Sequence, residues 1–155
     1  LLKHQHVIIR AEVNQPPGAN DIDSTQLWFK NLIEAIGMKI LLGPFVVYCD
    51  MPGNRGMTGI SAIETSSITL HAWDEDSPGV VQLDVYTCAD LDLSIVLDHL
   101  KVFAPTEVEY HFIDRDADKW EDCCGSVTCG CANTPSKIKV IDQGKVSYMQ
   151  AQAAE

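Results

Sequence analysis

Ile63-Glu64-Thr65-Ser66-Ser67-Ile68-Thr69-Leu70-His71-Ala72-Trp73-Asp74-Glu75 reads for most of its length as a buried strand. Ile68 and Leu70 fall on one side, and Thr69, His71 and Trp73 on the other, with the period of two that a strand requires. The approach to this strand is polar. Glu64, Thr65, Ser66 and Ser67 stand between two apolar runs, where a hairpin normally places Gly or Asn. Two readings stand side by side. Hydroxyls leading into a strand that carries His and Trp suit a nucleophile beside a base. In the plainer reading they are exposed turn residues, followed by a His that only hydrogen-bonds.

Working outward, the flanking segments divide cleanly. Residues 6–13 alternate, with Val7, Ile9, Ala11 and Val13 on one side and His6, Ile8, Arg10 and Glu12 on the other, as in a strand with one buried face. Pro16-Pro17-Gly18 marks a loop. Asp23 or Ser24 can cap a helix running to about Ile36, with Trp28, Leu32, Ala35 and Ile36 as its apolar stripe and Gly37 as its left-handed stop. Residues 38–48 read as a strand bent at Gly43, and residues 50–59, with four glycines and prolines, as a tight loop. A short strand over residues 59–63 leads into the opening stretch. After a turn at Asp76-Ser77-Pro78-Gly79, residues 80–88 alternate again, with Val81, Leu83 and Val85 opposite Asp84, Tyr86 and Cys88. Asp92 caps a second helix carrying Leu93, Val96, Leu97 and Leu100, and residues 107–113 form a strand that buries Val108, Tyr110 and Phe112.

The order is strand, helix, four strands, helix, strand. Consecutive strands argue for an antiparallel sheet, so the expected fold is α+β, a two-layer sandwich with both helices on one face. The other face is polar and calls for cover, which sheet-to-sheet pairing in a dimer would supply. Residues 1–113 form this domain. Residues 114–155 read as an irregular, Cys-rich C-terminal extension with a short strand near residues 138–141.

The totals bound the function. The chain has 155 residues, 46% of them hydrophobic, with a net charge of −11. That charge argues against nucleic acid, whose affinity rests on Lys and Arg at phosphates. No apolar run approaches the roughly 18 residues of a membrane span. A cytoplasmic setting is expected, with no signal-peptide pattern and with Cys49 and Cys88 in apolar segments as reduced thiols. Cys123, Cys124, Cys129 and Cys131 miss the usual zinc spacing and read as a covalent staple or free thiols, so no metal is expected. His4 and His6 read as solvated or strand-edge residues. Gly53-Asn54-Arg55-Gly56 lacks the Lys-Ser/Thr of a phosphate loop.

Residues 64–75, followed by Leu83-Asp84-Val85-Tyr86-Thr87-Cys88, resemble the bacterial-type S-adenosylmethionine decarboxylases. The likeness is to their Glu-Ser-His, His-Thr-Trp-Pro-Glu and Asp-Phe-Thr-Cys segments, and it extends from His6 to Ile113 through Gly56-Met57-Thr58-Gly59 and His99-Leu100-Lys101. The resemblance implies that Ser66 attacks the carbonyl of Thr65, that the chain splits between Thr65 and Ser66, and that a pyruvoyl group is left at residue 66. That cofactor would take the substrate amine as a Schiff base and accept electrons as CO2 departs. It further implies His71 and Thr58 in self-processing, Cys88 as the acid that protonates product carbon, and Glu75, Trp73 and Glu64 at the substrate. In the family the site is shared across a homodimer, and the reaction feeds spermidine and other polyamine synthesis.

This chain departs from the pattern at several points. Thr65 stands for Glu, Ser67 for His and Asp74 for Pro, and residues 51–55 lack the aromatic available to stack on adenine. Two alternatives therefore stay open: the same cofactor acting on ornithine or arginine, and an unprocessed, non-catalytic homologue that binds a partner. Ser66 and His71 are five residues apart, so a regular strand points them to opposite faces. The mechanism therefore requires a bend or bulge near Ser66-Ser67, and one is expected there.

Overall fold

A computed structural model describes residues 3–115 and 139–148. The elements are β1 (Gln5–Val13), α1 (Ile22–Ala35), β2 (Ile40–Cys49), β3 (Gly56–Ile63), β4 (Ser66–Trp73), β5 (Gly79–Thr87), α2 (Leu93–Leu100), β6 (Pro105–Asp114) and β7 (Lys139–Ser147). The strands form one antiparallel sheet in the order β2-β3-β4-β5-β1-β6-β7. This is the expected order of elements, with a seventh strand added by residues 139–147. That strand is longer than the short one expected near residues 138–141. Gly144 lets it lie against the Tyr110 ring, and Lys145 reaches Glu107 at 2.6 Å and Glu109 at 3.5 Å.

Alternation along each strand sorts the side chains by face. Val7, Ile9, Ala11, Ile68, Leu70, Val81, Leu83 and Val85 are buried and form the core with the helices. Trp28 and Phe29 of α1 meet edge to face, and the Trp28 indole N–H donates to the carbonyl of His99 at 2.9 Å, which ties α1 to α2. The α1 stripe is Thr25, Trp28, Phe29, Leu32 and Ile33, not the expected one ending in Ala35 and Ile36. The helix is rotated so that the large Phe29 ring meets the sheet over Gly59. Its N-cap is Asp21 rather than Asp23 or Ser24. The Asp21 carboxylate closes the preceding turn by accepting the Gly18 N–H at 2.8 Å, and the Ser24 hydroxyl donates back to the Asp21 carbonyl.

Other local signals hold. Gly37 ends α1 in the left-handed region at φ 74°, and β2 is irregular around Gly43, with register shifts between Ile40 and Leu42 and between Leu42 and Phe45. The Asp92 carboxylate accepts the Ser94 N–H at 2.9 Å. Hydrogen bonds from the Ser94 hydroxyl and N–H hold its pKa below the ordinary carboxylate value. Tyr110 and Phe112 are only half-buried, because β6 lies next to the last strand of the sheet rather than in its middle.

Gly59 is where the helix layer comes closest to the sheet. A Cβ there would lie 2.4 Å from Phe29 Cε2. The Phe29 ring is fully buried against Trp28 and has nowhere to move. Gly59→Ala is therefore expected to destabilise the fold by about 1–3 kcal/mol, read as a lower urea midpoint. An unchanged midpoint would mean the two layers are not in this contact.

Candidate functional site

β3 and β4 are joined by a two-residue turn, Glu64–Thr65, with Ile63 paired to Ser66 and Ala62 to Ser67. So short a link usually requires glycine or asparagine in the left-handed region. Here Thr65 takes that conformation at φ 50°, which is strained for a β-branched side chain. The Thr65 hydroxyl lies 2.8 Å from the Glu64 carbonyl and 2.9 Å from Cys88 Sγ. The Cys88 thiol in turn lies 3.2 Å from the Glu64 carbonyl, within donating distance. The turn and the thiol, 23 residues apart between Thr65 and Cys88, thus form one polar cluster. Beside it Ser66 Oγ is buried and has no hydrogen-bond partner among the described residues. An unsatisfied buried hydroxyl costs about 1–3 kcal/mol, so Ser66 is a polar group held ready without a structural use.

The second cluster lies further along β4. Thr58 and His71 are cross-strand partners, and Thr58 Oγ1 is 3.1 Å from His71 Nδ1. They line a pocket of about 140 Å³ with Cys49, Asn54 and Trp73. The Trp73 indole lies 6.2 Å from the His71 ring and donates to Asn54 Oδ1 at 2.9 Å. The Glu75 carboxylate closes the loop over residues 51–55 by accepting the Gly53 N–H at 2.9 Å and the Arg55 N–H at 3.2 Å. These two backbone bonds, Gly53 first, hold the Glu75 pKa below the ordinary carboxylate value. Glu64 faces Lys39 across 3.9 Å at the surface.

The structure joins Thr65, Ser66 and Cys88 at one end of β4, and Thr58, His71 and Trp73 toward the other. It does not bring Ser66 and His71 together. The expected bend near Ser66-Ser67 is absent, because the pairing of β4 with both neighbours runs to Trp73 without a register shift. The two residues therefore point to opposite faces, about 16 Å apart along the strand. His6 is not at a strand edge either. β1 lies between β5 and β6, and His6 Nε2 is 3.1 Å from Asp84 Oδ1. The sheet order that places β1 between β5 and β6 could not be read from local pattern. Asn54 and Tyr48, whose hydroxyl donates to Asp74 at 3.0 Å, were also missed, and no local signal marked them. Cys123, Cys124, Cys129 and Cys131 lie outside the described residues. No described helix is long and apolar enough to cross a membrane.

Comparison with known proteins adds a family. The sequence model of S-adenosylmethionine decarboxylase matches residues 5–116. The S-adenosylmethionine decarboxylase proenzyme of Picrophilus torridus is 36% identical over 69 residues, which are 43% of this chain and 52% of that protein. The proenzyme of Bacillus velezensis is 30% identical over 81 residues, 52% of this chain and 60% of that one. The chain thus spans between half and two thirds of the length of these relatives. The crystal structure of the adenosylmethionine decarboxylase from Aquifex aeolicus has a TM-score of 0.50 and 18% identity, covering 72% of this chain and 88% of that one, a likeness of fold.

The Glu75 staple has a pH signature. A carboxylate whose folded pKa is depressed stabilises above its unfolded value and loses that stabilisation as pH falls through the folded one. Protection of the Gly53 and Arg55 amides from exchange, relative to the intrinsic rate at each pH, is expected to be high at neutral pH and to fall below pH 4.5, the ordinary value for this group. In Glu75→Gln that acid step should disappear. Equal profiles in the two proteins, followed by NMR, would show that Glu75 does not hold the loop.

Proposed function

Because the chain belongs to the S-adenosylmethionine decarboxylase family, we propose that it is a self-processed, pyruvoyl-dependent decarboxylase acting on S-adenosylmethionine. The observation that carries this reading is Ser66 Oγ, buried and unpartnered directly after a left-handed Thr65 and beside the Cys88 cluster. A strained peptide link and an unsatisfied hydroxyl next to it suit an acyl shift.

In that step Ser66 Oγ attacks the Thr65 carbonyl carbon, the C–N bond breaks, and the nitrogen takes up a proton, giving an ester. Loss of the Ser66 α-proton then expels the ester oxygen from Cβ. Thr65 is left as a carboxylate that includes the former hydroxyl oxygen, and residue 66 as an unsaturated amine. Water enters and ammonia leaves to give the pyruvoyl end. When present, that group supplies a ketone that holds the substrate amine and takes up the electron pair as CO2 departs. Cys88, at the same turn, is in position to deliver a proton to product carbon.

His71 and Thr58 take part in processing, and their distance from Ser66 within one chain favours a site shared across a homodimer. The uncovered sheet face suits such pairing, with Ile8, Phe45, Val47 and Ile60 exposed on it. The loop over residues 51–55 carries no aromatic side chain. Ornithine and arginine therefore belong in the substrate panel beside S-adenosylmethionine.

The purified chain is expected to yield fragments 1–65 and 66–155 by mass spectrometry, the second with a blocked N-terminus, and to release CO2 from S-adenosylmethionine. Ser66→Ala should stay intact. A wild-type chain that also stays intact on long incubation would make this a non-catalytic homologue. Cys88→Ser should still be cut but lose about 100-fold or more in decarboxylation.

Sharing of the site has its own test. Co-expressed Ser66→Ala and His71→Ala chains are expected to restore cutting of the second, which alone is slow. No restoration would confine each site to one chain.

A further inference from the structure

The thiol of Cys88 is held by the last two residues before the proposed cut. Its hydrogen-bond partners among the described residues are the Glu64 carbonyl at 3.2 Å and the Thr65 hydroxyl at 2.9 Å. The left-handed backbone of Thr65 presents that hydroxyl to the thiol, since the turn has only two residues to reverse the chain. In the uncut chain both of these partner groups are uncharged.

Cutting changes it. The Thr65 carbonyl becomes a carboxylate, one of whose oxygens was Ser66 Oγ. The carboxylate carbon is three bonds from an oxygen already 2.9 Å from Sγ. A fixed negative charge is thereby created roughly 4–6 Å from the thiol, the range in which a like charge disfavours ionisation. Several other charged groups at this end of the sheet have contacts of their own. Glu64 faces Lys39 at 3.9 Å, Lys3 pairs with Asp90, His6 lies 3.1 Å from Asp84, and Arg115 stacks on the Tyr86 ring at 4.5 Å.

We infer that Thr65 is the positioning residue of Cys88, and that the carboxylate it gains on cutting keeps the proton on Sγ. The inference rests on the processing described above and adds to it. The released chain end is then a working part of the site. It retains the acid form of the one thiol that must give up its proton to carbon. Processing would make the electron-accepting group and prepare its proton donor in a single event.

The test reads ionisation of the thiol rather than turnover. Iodoacetamide labelling of Cys88, followed by peptide mass mapping, is measured against pH in the processed wild-type protein and in Ser66→Ala, which keeps the turn closed. The midpoint of the labelling profile is expected to lie about one pH unit higher in the processed protein. If Ser66→Ala does not fold, wild-type chain sampled before and after cutting provides the same comparison. Thr65→Val, which still gains the carboxylate but loses the hydroxyl that holds it beside Sγ, should show a smaller upward move once cut. Equal midpoints in cut and uncut protein, or an undiminished move in Thr65→Val, overturn this inference and leave processing intact. A chain that never cuts overturns both.

Discussion

A two-residue turn leaves no slack between the strands it joins. With Ile63 opposite Ser66, each later partner along β3 and β4 is determined, down to Gly56 against Trp73. The strand period then sends Ile68, Leu70 and Ala72 into the core and Thr69, His71 and Trp73 to the open face. The same turn forces Thr65 into the left-handed region and leaves Ser66 Oγ buried without a partner. Each feature costs about 1–3 kcal/mol, against a typical total stability of about 5–15 kcal/mol. The core packed under β4 has to bear that cost, and the strain falls on the one peptide link the proposed chemistry would break.

The sheet separates its two tasks by face. One face carries the apolar side chains and both helices, with Phe29 seated over Gly59. The other carries the imidazole of His71 and several exposed apolar side chains, while the thiol of Cys88 lies just past the end of β5, partly buried against the core. A strand paired on both sides is stiff, so no rotamer change closes a gap of about 16 Å between Ser66 and His71. Glu75 and Asp74 brace the pocket around His71 from below, through the loop N–H groups and Tyr48.

The candidate site residues could be named from sequence because the family segments are local. Ser66 to Trp73 lie on β4 and Leu83 to Thr87 on β5, with Glu64, Thr65, Glu75 and Cys88 just beyond the strand ends, and their residue types suggest the proposed chemistry without a fold. What misled was joining them inside one chain. Expecting Ser66 beside His71 meant expecting a bulge, and the unbroken register of β4 removes it. The α1 stripe failed for a related reason: Phe29 and Ile33 displace Ala35 and Ile36 because the sheet beneath offers space at Gly59, a fact about another element.

Strand faces, element order, the Gly37 stop and the Asp92 cap were readable from residue order, since each depends on neighbours within a few positions. The interior place of β1, the contact of Thr65 with Cys88 and the separation of Ser66 from His71 were decided by packing. These depend on which strands lie side by side, and hydrogen bonds between distant segments set that order, which no local periodicity encodes.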